Sequence, residues 1–252
     1  MPTRVKILWV FCNIVIFFGF IIFSYASKVQ KAQLAEVQRE KLAQEREKEK
    51  KALEKFKKEN QVPITDPLKT VKEFNALGKH QEAADLAQKL AEMNPGNSQV
   101  FTWWGISLVK SGLRSAAIEK FVRAAELDPT NFQAFLYWGL TLAMEARFKD
   151  AIEKYKVVIE LDPENSNAYA YIGASQDQLR QYDEAIENLK RALDLNPSSS
   201  TAYELLVQTL YHSGDFAEAW ETVASARKAN AAVSEEVLQP LSEAMPEPAE
   251  KF

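Results

Sequence analysis

The sequence predicts an all-α fold: a solenoid of five stacked helical hairpins, preceded by one membrane-spanning helix and a long charged helical stem. Three observations carry this reading. Four prolines, Pro95, Pro129, Pro163 and Pro197, stand 34 residues apart, each inside a related phrase: Glu92-Met-Asn-Pro-Gly-Asn97, Glu126-Leu-Asp-Pro-Thr-Asn131, Glu160-Leu-Asp-Pro-Glu-Asn165 and Asp194-Leu-Asn-Pro-Ser-Ser199. Residues 7–25 are an almost unbroken apolar run, and the stretch between that run and the repeats is rich in helix-forming residues.

The first element is the anchor, residues 1–27. From Ile7 to Tyr25 only Asn13 and Ser24 are polar, with one glycine, Gly19. As a helix this run spans roughly 28 Å, close to the ~30 Å hydrocarbon core of a bilayer. Ser24-Tyr25-Ala26 also offers small residues at which a signal peptidase would cut after Ala26. The uncleaved anchor is the preferred reading, because the run exceeds the ~7–15 apolar residues usual in a signal peptide. Cys12, the single cysteine, lies inside the run, so no intramolecular disulfide is available. It reads as an inert apolar residue, with lipidation or dimerisation the lesser alternative. Arg4 and Lys6 before the run and Lys28, Lys31, Arg39 and Lys41 after it leave the positive-inside rule nearly balanced. The basic start resembles a secretion signal, so the expected topology is a single-pass bacterial inner-membrane protein with its C-terminal domain in the periplasm.

The stem, residues 28–62, holds no Pro or Gly between Lys28 and Asn60 and is dominated by Ala, Glu, Lys, Gln and Leu. Glu47 with Lys51 and Glu54 with Lys58 form i, i+4 pairs worth ~0.2–0.5 kcal/mol each in an isolated helix. Leu34, Val37 and Leu42 give way to charge before Leu53 and Phe56, so a solvated spacer fits better than a coiled coil. Fully helical, it would reach ~50 Å. Asn60, Pro63 and Pro67 close it.

Charge divides the chain in the same place. Residues 1–60 carry 13 Lys/Arg against 7 Asp/Glu, and residues 61–252 carry 18 against 28. A basic stem suits anionic lipid headgroups, whereas an acidic domain repels phosphate backbones, which argues against nucleic-acid binding.

The repeats occupy residues 63–233, as units 64–97, 98–131, 132–165, 166–199 and 200–233. Ala83, Ala117, Ala151, Ala185 and Ala219 keep the 34-residue step, as do Gly105, Gly139 and Gly173 and the aromatics Phe101, Phe135, Tyr169 and Tyr203. Fixed small positions let two helices approach, fixed large ones fill the space between successive pairs, and proline ends the second helix. Each unit is therefore a helical hairpin.

These positions resemble the tetratricopeptide repeat (TPR) family, whose Trp-x2-Leu-Gly-x2-Tyr, Ala, Phe, Ala, Pro pattern is met by Phe101, Trp104, Gly105, Leu108, Ala117, Phe121, Ala124 and Pro129. It recurs as Phe135, Trp138, Gly139, Leu142, Ala151, Tyr155, Val158 and Pro163, and as Tyr169, Ile172, Gly173, Gln176, Ala185, Leu189, Ala192 and Pro197. The flanking copies depart from it: Val71 and Val207 replace the glycine, and Ala231 replaces the last proline. Atypical end repeats are usual in such arrays.

The resemblance implies a right-handed superhelical solenoid that binds an extended or helical protein segment along a concave groove lined by the first helix of each repeat. Projected onto this chain, the groove positions are Gln99, Thr102, Ile106, Val109 and Lys110; Gln133, Leu136, Leu140 and Met144; Asn167, Ala170, Ala174, Asp177 and Gln178; and Glu204, Gln208, Tyr211 and His212. The N-terminal half is apolar and the C-terminal half polar. The cationic clamp with which some members hold a C-terminal carboxylate is missing, since its two places hold Leu68, Thr102, Leu136, Ala170 and Glu204, and Lys72, Ile106, Leu140, Ala174 and Gln208. Trp103, Tyr137 and Tyr171, again 34 apart, form either a binding ladder or inter-repeat packing.

Residues 234–245, with Val237, Leu238 and Leu241 at helical spacing, are expected to cap the stack despite Pro240, and residues 246–252 to be a disordered tail. Nothing in the chain forms a catalytic constellation. His80 and His212 lack a second ligand at metal spacing, no Gly-rich phosphate loop occurs, and the carboxylates are spread over helix surfaces. The expectation is a non-enzymatic, membrane-tethered scaffold needing no cofactor or metal. Its alternatives are a self-assembling homo-oligomer and a cytosol-facing receptor resembling mitochondrial import receptors.

Overall fold

The computed structural model describes residues 67–248, together with Glu36, Arg39 and Lys41, which are helical. The apolar run of residues 7–25 and the remainder of the 28–62 stem lie outside the described residues, as do residues 249–252 of the tail. Among the described residues no helix is long and apolar enough to cross a membrane. The chain divides into a unit of residues Met1–Thr65 and a unit of residues Asp66–Phe252. The second is all-helical where described.

Its helices alternate between first and second members of a hairpin: α1 (Pro67–Ala76) with α2 (His80–Met93), α3 (Ser98–Lys110) with α4 (Arg114–Leu127), α5 (Phe132–Met144) with α6 (Phe148–Leu161), α7 (Ser166–Gln178) with α8 (Tyr182–Leu195), and α9 (Ser200–Ser213) with α10 (Phe216–Lys228). A final helix, α11 (Glu235–Ala244), follows.

The recurring proline phrase acts on the residue before it. Proline disfavours helical backbone in its predecessor, and Asn94, Asp128, Asp162 and Asn196 accordingly share a non-helical conformation, with φ of −138°, −145°, −141° and −138°. Three residues later the phrase supplies the next helix's N-cap. Asn97, Asn131, Asn165 and Ser199 each accept from a backbone N–H of the first turn, satisfying a donor with no intrahelical partner. Asn131 also joins repeats: its side-chain amide donates to Ser98 Oγ at 2.7 Å and to Thr102 Oγ1 at 3.0 Å.

The turn inside each hairpin needs one left-handed residue, and these too fall 34 apart: Gly78, Gly112, Ala146, Arg180 and Gly214, with φ of 74°, 82°, 58°, 59° and 92°. Glycine adopts this region freely, whereas a residue with a Cβ is strained by ~1–2 kcal/mol. Ala146→Gly and Arg180→Gly should therefore each stabilise the stack, by about 0.5–1 kcal/mol once glycine's greater unfolded-state freedom is subtracted. Urea midpoints of the single and double variants measure this.

Hairpins close through an exchange of volume. A Cβ built on Gly105 would lie 2.5 Å from the Phe121 ring, one on Gly139 2.5 Å from the Tyr155 ring, and one on Gly173 2.6 Å from Leu189 Cγ. Where Val71 and Val207 replace glycine, the facing residues are the smaller Ala87 and Val223, buried in the same clusters. A second repeating device is polar. Ser107, Thr141, Ser175 and Thr209, all buried and all 34 apart, donate to the carbonyls of Trp103, Tyr137, Tyr171 and Leu205 one turn earlier, at 2.7–2.8 Å. Each hydroxyl is satisfied within its own helix, so it enters the interior without an unpaired polar atom.

Successive first helices approach one another, α1 to α3, α3 to α5, α5 to α7 and α7 to α9, whereas successive second helices do not. The stack therefore curves, with the first helices on the inside of the bend.

Candidate protein-binding groove

The inner surface is built from α1, α3, α5, α7 and α9. Gln99, Lys110, Gln133, Asn167, Gln178, Gln208 and His212 are exposed on them, Met144 is 52% exposed, and Leu136, Leu140 and Glu204 are half-buried. Four residues projected onto the groove lie deeper, Ala170 among them at 3% exposed. Thr102 is only 1% exposed; its hydroxyl donates to the Ser98 carbonyl at 3.0 Å and accepts from the Asn131 side chain, so it belongs to the joint between repeats and not to the groove surface. Ile106 is buried in the cluster with Ala117 and Phe121. Asp177, 6% exposed, lies in the floor.

The aromatic stripe joins repeats. Tyr137 stacks on Phe121 of the preceding hairpin with ring centroids 6.5 Å apart, Tyr171 tilts against Tyr155 at 5.7 Å, and Trp103 packs on the Val71–Ala87 cluster. All three are half-buried, so each keeps an edge at the surface while its face fills the inter-repeat seam. Burial, reinforced by Tyr137 nearby, raises the Tyr171 phenol above its usual range, and Tyr155 is pushed up by burial more strongly still. Both remain neutral donors at any physiological pH.

Two adjoining cavities mark the C-terminal half. The first, about 210 Å³, lies between α5, α7 and α9 and is lined chiefly by Leu140, Ala143, Tyr171, Ala174 and Leu205, with Asp177 and Gln208 at its polar edge. The second, about 420 Å³, lies between α9 and α11 and is lined by Glu204, Tyr211, His212, Glu236, Val237 and Pro240. Leu205 and Gln208 belong to both walls, so the apolar floor runs continuously into the acidic end. His212 Nδ1 lies 2.8 Å from Asp177 Oδ1 and links α9 to α7 across 35 residues of sequence. At the opposite end, the Lys72 ammonium sits 5.2 Å from the Trp103 ring centroid.

Neither histidine has the surroundings of a metal ligand. His80 Nδ1 lies 3.3 Å from Asn75 Oδ1, and among the described residues no three His, Cys, Asp or Glu side chains converge. What the surface offers is a long, shallow, mixed apolar and polar face suited to another chain.

Comparison with known proteins agrees with this architecture. Three family models described as tetratricopeptide repeat match residues 104–166, 154–187 and 178–242. Among solved structures, MamA from Desulfovibrio magneticus RS-1 superposes with a TM-score of 0.58 at 22% identity, covering 66% of this chain and 97% of that one. PilF of Pseudomonas aeruginosa gives 0.63 at 16% identity, covering 70% and 82%. A thermophilic TPR protein of Thermus thermophilus, TTC0263, gives 0.59 at 19% identity, covering 71% and 97%. At these identities the likeness is one of fold. No curated protein matches in a sequence search.

Proposed function

Because this chain belongs to the tetratricopeptide repeat family, whose members mediate protein–protein interactions, we propose that it is a membrane-tethered scaffold that recruits or organises partners of an envelope assembly. The observation that carries the binding role is the inner face of α3, α5, α7 and α9, where Leu140 lines a cavity and, with Leu136 and Met144, remains partly open to solvent. Apolar surface of that kind gains free energy when a partner removes it from water, about 25 cal/mol per Å². The tether rests on the Ile7–Tyr25 run, whose length and apolarity match a bilayer. A periplasmic domain and an uncleaved bacterial inner-membrane anchor complete the reading.

The test uses the full chain in native membranes. A photo-crosslinker at Met144 should give discrete adducts that Leu140→Glu abolishes, whereas one at Lys190, on the second-helix side, should not. Equal labelling from both positions, or adducts indifferent to Leu140→Glu, would overturn the binding role. A compartment-sensitive reporter fused at the C-terminus decides the topology; cytosolic activity would sink the periplasmic assignment.

A further inference from the structure

The charges around the groove are ordered along it. Lys72 and Lys110 stand at its α1–α3 end, Leu136, Leu140 and Met144 in the middle, and Glu204 and Glu236 at the α9–α11 end, while the carboxylate between them, Asp177, is buried and paired with His212. Among the described residues no Lys or Arg pairs with Glu204 or Glu236. Glu204 uses one oxygen, Oε1, to accept the Ser234 N–H at 2.8 Å. Its other oxygen and the whole Glu236 carboxylate remain available, on either side of a cavity that also presents the Tyr211 ring.

We propose that the occupant of this groove is an amphipathic protein segment that seats apolar side chains against Leu136, Leu140 and Met144 and places a lysine or arginine between Glu204 and Glu236. This rests on the binding role proposed above and names the chemistry of its partner. Three features select a cation at that end. Two carboxylates at one mouth reject an acidic side chain by like-charge repulsion. Tyr211 offers an aromatic face of the kind that attracts a guanidinium or ammonium. The wall shared with the apolar cavity lets one segment reach both places without leaving the surface. The reversed charge at the Lys72 and Lys110 end fixes which way round the segment lies, since an acidic residue is favoured there. The net excess of acid over base in residues 61–252 adds a long-range attraction for the same partner.

Three fluorescein-labelled peptides test this by anisotropy against the full chain in detergent. They share one amphipathic leucine–alanine helix and end in two lysines, two glutamines or two glutamates. The lysine peptide should bind about tenfold more tightly than the glutamate peptide, with the glutamine peptide between them. Glu204→Gln with Glu236→Gln should lower the lysine peptide to the affinity of the glutamine peptide and leave the latter unchanged. The amide introduced by Glu204→Gln would retain an oxygen for the Ser234 N–H, and unchanged circular dichroism would confirm an intact fold. Equal affinities, a preference for glutamate, or a lysine advantage that survives the double substitution would overturn the proposed chemistry while leaving the groove in place. Failure of every peptide to bind, or binding untouched by Leu140→Glu, would overturn the binding role itself and the chemistry with it.

Discussion

Gly139→Val should destabilise the repeat stack by about 3 kcal/mol, and adding Tyr155→Ala should recover most of that loss. The valine Cβ would stand 2.5 Å from the Tyr155 ring, a separation that no relaxed pair of carbons tolerates. Overpacking of a buried site costs ~1–3 kcal/mol, and a β-branched side chain on a rigid helix lies at the upper end. The gain in helix propensity over glycine, a few tenths of a kcal/mol, is too small to compensate. Tyr155→Ala alone removes a fully buried ring and should cost ~3–5 kcal/mol. The double variant reproduces the pairing of the first repeat, where Val71 and Ala87 are both completely buried. Its stability should lie within about 1 kcal/mol of the parent, so the two losses would be strongly non-additive. Urea unfolding of the four proteins in the cycle decides it. Additive losses would mean that the glycine and the ring do not trade space, and that the valine-containing end repeats are held by something else.

This trade explains why parts of the fold are legible in one sequence and others are not. Pro95, Pro129, Pro163 and Pro197 and the three glycines show themselves because each does the same local job once per repeat, and a fixed step exposes a shared constraint. The left-handed turns at Gly78, Gly112, Ala146, Arg180 and Gly214 keep the same step, yet alanine and arginine interrupt the glycine pattern and hide it. Ser107, Thr141, Ser175 and Thr209 were equally open to counting, but a hydroxyl that bonds within its own helix resembles any surface serine or threonine until its burial is known. Groove residues are harder still. Thr102 occupies a position that the repeat pattern assigns to the surface, yet it is buried, its hydroxyl held between the Ser98 carbonyl and the Asn131 amide one repeat later. Trp103, Tyr137 and Tyr171 read equally as binding or packing, because their rings are divided between seam and solvent. The link between His212 and Asp177 has no periodic counterpart and hence no signal.

Leu241→Ala should destabilise the C-terminal end of the stack by about 3 kcal/mol while leaving the first repeats nearly unchanged. Leu241 is fully buried in a cluster with Leu206, Leu210 and Trp220, and deleting such a side chain costs ~2–5 kcal/mol in lost transfer energy and residual cavity. Helix α11 is otherwise held by Val237 and Leu238, which are only partly buried against the same cluster. It is only ten residues long and carries Pro240, which lacks an N–H and breaks the helical ladder, so it cannot persist without tertiary contacts. One further clasp is the Trp220 indole N–H, which donates to the Met245 carbonyl at 2.9 Å, and another is the ion pair between Arg227 and Glu247. In an array where each repeat touches only its neighbours, loss of the cap weakens α9 and α10 first. Hydrogen exchange should therefore quicken in residues 200–245 well before it does so in residues 98–165. Because Glu236, Val237 and Pro240 form one wall of the acidic cavity, the lysine peptide should lose its advantage in the same variant, while the apolar contact with Leu140 survives. Uniform acceleration of exchange along all five repeats would show instead that the stack unfolds as a single cooperative unit, and that α11 stabilises every repeat at once.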